Sequence, residues 1–249
     1  MTSFHALAAG LLLLAGCALP AGEPATPQRP TFCFGPTTTA AGSFELEAGA
    51  ALGPPDAYAE IPATLKYGVD ERTEVSASLS PLISLDHTAG LGDAGLAWRH
   101  RFVDADGARP AVALLASLKL PTADEDRGLG SGHSDAFAGV TAGGSLGRFG
   151  WIAFAQLGAL GQAGEDADLE RDLALCGSWT LDSVNALFAE LSDRSVAEQD
   201  SHVGQLRLGH AISVRPDLIL DWSVWLPLTQ DAPETILAVG FTRNFGRSP

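Results

Sequence analysis

The chain has little charge, a single methionine and no long apolar run in its body. Charged residues make up 18% of the 249 residues, and Met occurs once. After residue 16 no apolar run approaches the ~18 residues that a membrane helix needs, so helical spans are not expected there. Basic residues are scarce, 15 Lys and Arg against 30 Asp and Glu, giving a formal net charge of −15. Nucleic acid is therefore not expected as a partner, because its phosphates would be repelled.

The motifs of cofactor and metal chemistry are also missing from the sequence. It has no phosphate-binding glycine motif, no dinucleotide fingerprint and no zinc-type spacing among its 3 cysteines. His87, His133 and His202 fall in predicted loops near acidic residues, and such oxygen-rich loops can hold a divalent cation. Since acidic loops are more often simply solvated, we predict no metal site and no cofactor.

The N-terminal residues have the pattern of a bacterial export signal. Residues 6–16 form an apolar core of signal-peptide length. They end in Leu14-Ala15-Gly16-Cys17, which resembles the lipobox of bacterial lipoproteins. We therefore predict a signal peptide over residues 1–16 and lipidation of Cys17. The alternative is an ordinary signal peptide that is cut near Ala21.

A segment without alternation follows the signal peptide. Residues 17–42 are rich in Pro, Thr, Ala and Gly, and we predict that they form a periplasmic linker between a lipid anchor and the folded domain. Cys33 lies in this linker and Cys176 in a predicted strand. In an oxidising compartment the two could form a disulfide, and two free thiols fit the sequence equally well.

From Phe44 to Phe245 the sequence alternates apolar and polar residues in twelve short segments. In Val75-Ser76-Ala77-Ser78-Leu79-Ser80 every odd position is apolar and every even position is a hydroxyl, so an extended chain has one face of each kind. Repeated between turn residues, this pattern predicts one all-β domain over residues 43–249, an antiparallel up-and-down transmembrane β-barrel of about 12 strands. The predicted strands are 43–52, 58–68, 73–82, 92–102, 110–120, 134–146, 151–161, 168–179, 185–192, 203–213, 217–227 and 234–245.

Two segments fit the barrel pattern less well. Pro62 lies inside the second predicted strand, where it removes a donor that an interior strand needs. The stretch Ser183–Asp200 has a helical period that fits nearly as well as a strand. The sequence therefore leaves a range of 10–12 strands.

The predicted connections differ between the two ends of the barrel. The odd-numbered ones run from five to thirteen residues and the even-numbered ones from three to seven. Seven aromatic residues lie at the strand ends facing the short connections, where amphipathic rings favour a membrane interface. The asymmetry predicts a bacterial outer-membrane protein with extracellular long loops, periplasmic termini and outer-membrane lipid as a partner. The predicted periplasmic girdle is Phe44, Tyr67, Trp98, Phe102, Trp151, Trp179 and Phe245.

The alternation also places ten acids and five bases on the inward face of the barrel. Charges of both signs suit a polar lumen, either as structural ion pairs or as the lining of a pore. An excess of acids predicts that an open pore prefers cations. The predicted lumen charges are Glu45, Glu47, Glu60, Lys66, Glu74, Asp93, Arg99, Arg101, Lys119, Asp135, Arg207 and Asp221, and Glu170, Asp172 and Glu190 complete the inward set.

One short motif, His133-Ser134-Asp135, invites comparison with hydrolases. Neighbouring residues of a strand point to opposite faces, so these three side chains cannot form a catalytic triad among themselves. Ser201 and His202 are adjacent in the same way. A pairing of Ser134 with a histidine of another strand stays open, and no catalytic residue is predicted.

Four motifs stand out within the predicted barrel: Leu65-Lys66-Tyr67-Gly68-Val69-Asp70-Glu71-Arg72-Thr73-Glu74-Val75, Gly90-Leu91-Gly92-Asp93 leading into Leu96-Ala97-Trp98-Arg99-His100-Arg101-Phe102, Leu118-Lys119-Leu120-Pro121-Thr122, and Gly130-Ser131-Gly132. Together they resemble the outer-membrane barrel family named for the meta-pathway of phenol degradation. The resemblance covers roughly residues 55–245. It implies an outer-membrane barrel loosely assigned to transport, with no established catalytic residues.

The function predicted from the sequence is the passage of small molecules across the outer membrane. That the solute is hydrophobic or aromatic is implied by the family resemblance alone. The alternatives are a plugged structural or binding lipoprotein barrel without transport, and a lipid-modifying hydrolase of the outer membrane. The sequence does not decide the oligomeric state.

Overall fold

The alternating segments form thirteen β-strands in a computed structural model, which describes residues 22–55, 57–162, 167–197, 199 and 201–246. The strands are β1 (Phe44–Leu52), β2 (Tyr58–Gly68), β3 (Thr73–Leu85), β4 (Thr88–Gly90), β5 (Ala94–Val103), β6 (Ala111–Leu120), β7 (Asp135–Leu146), β8 (Phe149–Leu160), β9 (Asp168–Thr180), β10 (Asn185–Val196), β11 (Ser201–Arg215), β12 (Leu218–Pro227) and β13 (Ile236–Asn244). A 3₁₀ turn, Glu125–Arg127, lies in the longest connection. Within the described ranges, no helix is long and apolar enough to cross a membrane.

The sheet closes on itself. The first strand, β1, pairs with β13 from Glu45↔Asn244 to Leu52↔Leu237, and each further strand pairs antiparallel with its neighbours. The short β4 pairs only with β3, as a hairpin beyond the closed sheet. The prediction of an all-β, antiparallel barrel of about 12 strands is therefore confirmed. Closure leaves no edge strand among the twelve, so each of them is hydrogen-bonded to a neighbour on both sides.

The structure resolves both doubtful segments as strands. Around Pro62 the β2–β3 register shifts between Ile61 and Ala63, so the proline sits at an irregularity where its missing N–H costs no regular bond. Within the segment with the helical period, residues Asn185–Val196 form β10, which pairs with β9 and β11. Hydrogen bonding on both sides outweighs the local helical preference.

The two faces of the barrel have opposite chemistry. Along β9 and β10, Leu175 and Leu191 are 57% and 53% exposed, whereas Asp172 and Glu190 are 1% exposed. Apolar side chains therefore point outward and charged ones inward, the reverse of a water-soluble protein. The outward face suits a hydrocarbon environment.

The connections differ in length at the two ends of the barrel. At the end we call the turn end they are 69–72, 104–110, 147–148, 181–184 and 216–217. At the opposite end, the loop end, they are 53–57, 86–93, 121–134, 161–167, 197–200 and 228–235. Asp70 and Asp182 close two of the short turns by accepting backbone N–H groups at 2.7–2.8 Å. The bonds from the Arg72 and Val184 N–H groups are the main reason that the pKa of each carboxyl lies below its usual range.

The predicted girdle residues lie on the outward face towards the turn end. Phe44, Trp98, Phe102, Trp179 and Phe245 are exposed there, while Tyr67 and Trp151 are half-buried. The rings of Phe44 and Tyr67 are 4.7 Å apart. The structure adds Trp222, which is 50% exposed and packs edge-on against His210. The residues form an aromatic band, which is the arrangement expected at a membrane interface.

Candidate functional site

The lumen is not empty, because residues 22–42 run through it. We call this segment the N-terminal plug. The sequence predicts that residues 17–42 form a linker outside the barrel, whereas residues 22–42 lie inside it. The reason is physical: a segment rich in Pro and Thr with no alternation forms no strand, apart from one isolated bridge between Ala41 and Gly68, and its other backbone N–H groups need acceptors. The inward carboxylates of the wall supply them. Cys17, the predicted lipidation site, lies outside the described residues.

Two buried glutamates hold the plug from opposite walls. Glu190 accepts hydrogen bonds from the backbone N–H groups of Phe32 and Cys33, at 2.9 and 2.7 Å. Glu74 accepts from the N–H and the hydroxyl of Thr39, at 2.8 and 2.9 Å. Their strands, β10 and β3, lie six strands apart in either direction around the twelve-stranded ring. The plug therefore spans the lumen.

A lysine and two acids hold the start of the plug. Lys66 bridges Glu45 and Glu47, with 2.6 Å from its Nζ to an Oε of Glu47, and it donates to the carbonyl of Thr26 at 2.8 Å. The N–H of Thr26 donates to Glu45 at 2.8 Å, and that of Gln28 donates to Glu47 at 2.7 Å. Each charge thus contacts both its ion-pair partner and the plug backbone.

Arg29 of the plug fits against a flat part of the wall. Its guanidinium lies 3.3 Å from Asp221 and over Gly49 and Gly240, which face each other across β1 and β13. A Cβ atom added at either glycine would lie 2.4 Å from Nη2 of Arg29. Only glycine leaves room for the guanidinium at this pair of positions.

Arginines of β5 hold the end of the plug. Arg99 donates to the carbonyls of Gly35 and Thr37 at 3.1 and 2.7 Å, and it pairs with Glu74 at 3.3 Å. Arg101 donates to the hydroxyl of Thr38 at 3.1 Å. Positive wall groups therefore take the plug's carbonyls, and negative ones take its N–H groups.

The twelve predicted lumen charges divide into two sets. Eight contact the plug: Glu45, Glu47, Lys66, Glu74, Arg99, Arg101, Arg207 and Asp221. The other four, Glu60, Asp93, Lys119 and Asp135, lie towards the loop end. There Lys119 is 2.6 Å from Asp135 and 3.6 Å from Asp93, and Tyr58 donates to Glu60 at 2.5 Å. The structure thus assigns most of these charges to holding the plug.

Two connected spaces lie on the loop side of the plug. The vestibule, of about 800 Å³, is lined by charged and polar residues that include Lys119, Asp135, Glu170 and Arg194. The aromatic cavity, of about 360 Å³, is lined by Phe32, Phe34, Phe137, Phe154, Trp225 and Arg194, among others. Phe137 and Arg194 line both spaces, so the two meet at these side chains.

Sequence reasoning missed the residues that shape the aromatic cavity. Arg194 lies beyond residue 192, where its strand is predicted to end, although the alternation from Glu190 through Ser192 points it inward.

The aromatic residues of the cavity were missed for a different reason. Phe32 and Phe34 belong to the plug, for which the sequence predicts no contacts. Phe137 and Trp225 lie at inward positions of their strands, where the period-2 pattern marks them although they are aromatic.

The described residues contain no assembled serine–histidine relay. The ring of His133 contacts the carbonyl of Ser131 at 2.6 Å, and His202 pairs with Asp193 on the outward face. Neither is hydrogen-bonded to Ser134. In the same part of the chain, no three His, Cys, Asp or Glu side chains are grouped as a metal site. Cys33 and Cys176 are free thiols buried in one apolar cluster with Phe154 and Ala174, so the structure contains no disulfide between them.

No protein-family model and no curated protein matches the sequence. Among solved structures, the chain is similar to an outer membrane channel from Pseudomonas putida F1, with a TM-score of 0.69, 13% identity, and coverage of 88% of this chain and 99% of that one. It is also similar to the NanC porin, with a TM-score of 0.57, 11% identity, and coverage of 80% and 98%. The fold is that of an outer-membrane β-barrel. At such low identity the likeness shows the fold alone, and the resemblance to the phenol meta-pathway family stays a prediction.

Proposed function

We propose that the protein is an outer-membrane channel for small molecules whose lumen is narrowed by its own N-terminal plug. The loop end faces the cell exterior, and the turn end with both termini faces the periplasm. The observation that carries this proposal is the pair of connected spaces that lead inward from the loop end to the plug. A purely structural barrel has no need of an accessible vestibule of about 800 Å³.

The plug is held by polar contacts that can be exchanged for water. Its side-chain anchors are carboxylates, guanidiniums and the Lys66 ammonium of the wall. Its backbone also bonds to the wall near its two ends, where the N–H groups of Ala25 and Gly42 donate to the carbonyls of Pro216 and Gly68. Releasing it would expose polar groups that water can solvate, together with the apolar cluster of Cys33, Phe154 and Cys176, and it would leave the pairing of the twelve wall strands intact. Such a segment narrows a pore without being part of its wall, so the plug sets how wide the channel is.

The second candidate is a plugged barrel that has a binding or structural role and transports no solute. The observation in its favour is that the plug spans the lumen between opposite walls, with Glu190 and Glu74 both 2% exposed or less. The two candidates make different predictions for solute passage once the plug anchors are weakened.

Liposome swelling tests the channel. Purified protein is refolded into liposomes, which are then placed in an isosmotic solution of a small neutral sugar. We expect the double variant Glu74→Gln/Glu190→Gln to swell the liposomes faster than the wild type, because fewer acceptors hold the plug. Glu234→Gln, in an exposed loop-end connection, is the matched control and should behave as the wild type. Absence of swelling for all three proteins would support the second candidate.

A further inference from the structure

We propose that the aromatic cavity is a binding site for aromatic carboxylates, with Arg194 holding the carboxylate and Phe34 and Phe137 contacting the ring. This inference deepens the proposed channel function and rests on it for the physiological route of the ligand. It depends on three features of the cavity lining: a guanidinium whose Nη donors have no hydrogen-bond partner, aromatic rings that are exposed inside the barrel, and the absence of an acid that is equally free of partners.

Arg194 has free donors where the two spaces meet. Its Nε atom lies 2.9 Å from Asp172 and 3.4 Å from Glu170, which fixes the inner edge of the guanidinium. The guanidinium carbon, Cζ, lies over the Phe32 ring, 5.3 Å from its centroid. The described part of the chain offers no hydrogen-bond partner to its two Nη atoms, and the side chain is 46% exposed. A planar pair of donors held in this way matches the two oxygens of a carboxylate.

The rings beside Arg194 are positioned for a flat apolar ligand. Phe34 is 41% exposed although it lies inside the barrel, and it meets Phe154 edge-on with centroids 5.8 Å apart. Phe137 faces Gly158 across β7 and β8, and a Cβ atom there would lie 2.4 Å from its ring. The glycine therefore lets the Phe137 ring lie against the wall. An aromatic ligand would cover the exposed face of Phe34 and gain ring–ring contacts.

The remaining charges of the cavity lining are already committed. Asp172 accepts from Arg194 and from Gln156, the latter at 3.0 Å. Arg207 donates to Glu190 and Gln205, both at 2.8 Å. Glu170 has an oxygen to spare, but it lines the vestibule and not the aromatic cavity. An aromatic ammonium ion would thus meet the positive Arg194 with no free acid opposite, whereas an aromatic carboxylate meets two free donors.

This site is compatible with an acidic mouth. Acids in the loops lower the concentration of all small anions near the entrance. Arg194 and the rings act together at short range, so they favour an anion that also carries a ring. Small inorganic anions and acetate can pair with Arg194, but they gain no contacts with the rings. The arrangement predicts selection for one ligand class rather than for one sign of charge.

Isothermal titration calorimetry on the full-length protein in a neutral detergent tests the proposal, with empty micelles as the blank. The probes are benzoate, acetate, benzyl alcohol and benzylammonium. We expect benzoate to bind, and acetate and benzyl alcohol to bind at least about tenfold more weakly because each lacks one half of the recognition. Benzylammonium should give no saturable heat. Preferred binding of benzylammonium, or no saturable benzoate heat, would overturn the proposal.

Two variants and a control locate the site. Arg194→Lys keeps the positive charge that faces Asp172 and Glu170 but loses the planar pair of donors, so benzoate should bind roughly tenfold more weakly. Phe34→Leu should weaken benzoate more than acetate. Arg171→Lys, on the outward face of β9, is the matched control and should leave binding unchanged. Benzoate affinity that is the same in the wild type and in Arg194→Lys would refute the role of Arg194.

The calorimetric test is independent of conduction. Benzoate binding by a protein that never passes solutes would uphold the site and refute the channel. Solute passage without benzoate binding would do the reverse.

Discussion

Replacing Glu190 by Gln is expected to loosen the plug by a calculable amount. In the wild type, one carboxylate oxygen accepts from the N–H of Phe32 and from Arg207, and the other accepts from the N–H of Cys33. The amide of Gln keeps one acceptor and places an NH₂ donor where the other oxygen was. One charge-assisted hydrogen bond is lost, which costs about 2 kcal/mol. The population of the undocked plug should rise by roughly 30-fold.

The thiol of Cys33 reports on this equilibrium. Cys33 is 0% exposed when the plug is docked, so a water-soluble maleimide can react only with the undocked state. In a background with Cys17→Ala and Cys176→Ala, Cys33 is the single thiol. We expect Glu190→Gln to speed its labelling by about 30-fold, in line with the lost hydrogen bond. Glu234→Gln serves as the control and should label at the wild-type rate.

Two results would refute the reasoning. Glu190→Gln could label no faster than the wild type while gel migration still shows a folded barrel. Alternatively, wild-type Cys33 could react as fast as a free cysteine peptide, which would mean that the plug is not docked in solution.

Three further predictions concern the mouth, the outward face and the N-terminus. Replacing Asp124, Glu125 and Asp126 by Asn, Gln and Asn should move the reversal potential of the open channel towards zero in a salt gradient. The reason is that these acids concentrate cations at the mouth of the channel. An anion-selective wild-type channel would contradict this prediction. Leu175→Arg places a charge on the exposed outward face and should lower the free energy of unfolding of the barrel in lipid by about 2–4 kcal/mol for a position near the bilayer midplane. An unchanged free energy of unfolding in a urea titration would contradict a lipid-facing position. Cys17→Ser should abolish labelling by a fatty-acid probe without preventing folding, and undiminished labelling would dismiss lipidation.

The strands of the barrel could be predicted because the alternation that defines them is a property of neighbouring residues in the sequence. Alternation of apolar and polar residues fixes which face meets lipid, and a shift by one residue would turn every side chain to the wrong face. The inward position of Glu74, Arg99 and Glu190 followed from that rule. The segment that became β10 was ambiguous because its own residues fit two periods, and only pairing with β9 and β11 decides between them.

The plug could not be predicted from the sequence because its fold depends on contacts distant along the chain. Phe32 and Cys33 bond to Glu190, which is more than 150 residues away in sequence. Nothing in the Pro- and Thr-rich composition of the segment indicates such a partner. The excess of inward acids was visible, but the sequence did not show that many of them accept backbone N–H groups of the chain's own N-terminal segment.

If residues 22–42 narrow a channel, their removal should widen it. Single-channel conductance in planar bilayers tests this most directly, by comparing the wild type with a variant that lacks residues 22–42 and that is confirmed as folded by heat-modifiable gel migration. We expect small or rare openings for the wild type and a stable, several-fold larger, cation-preferring conductance for the deletion variant. Equal conductance of the two proteins, or a folded deletion variant that conducts no ions, would contradict it.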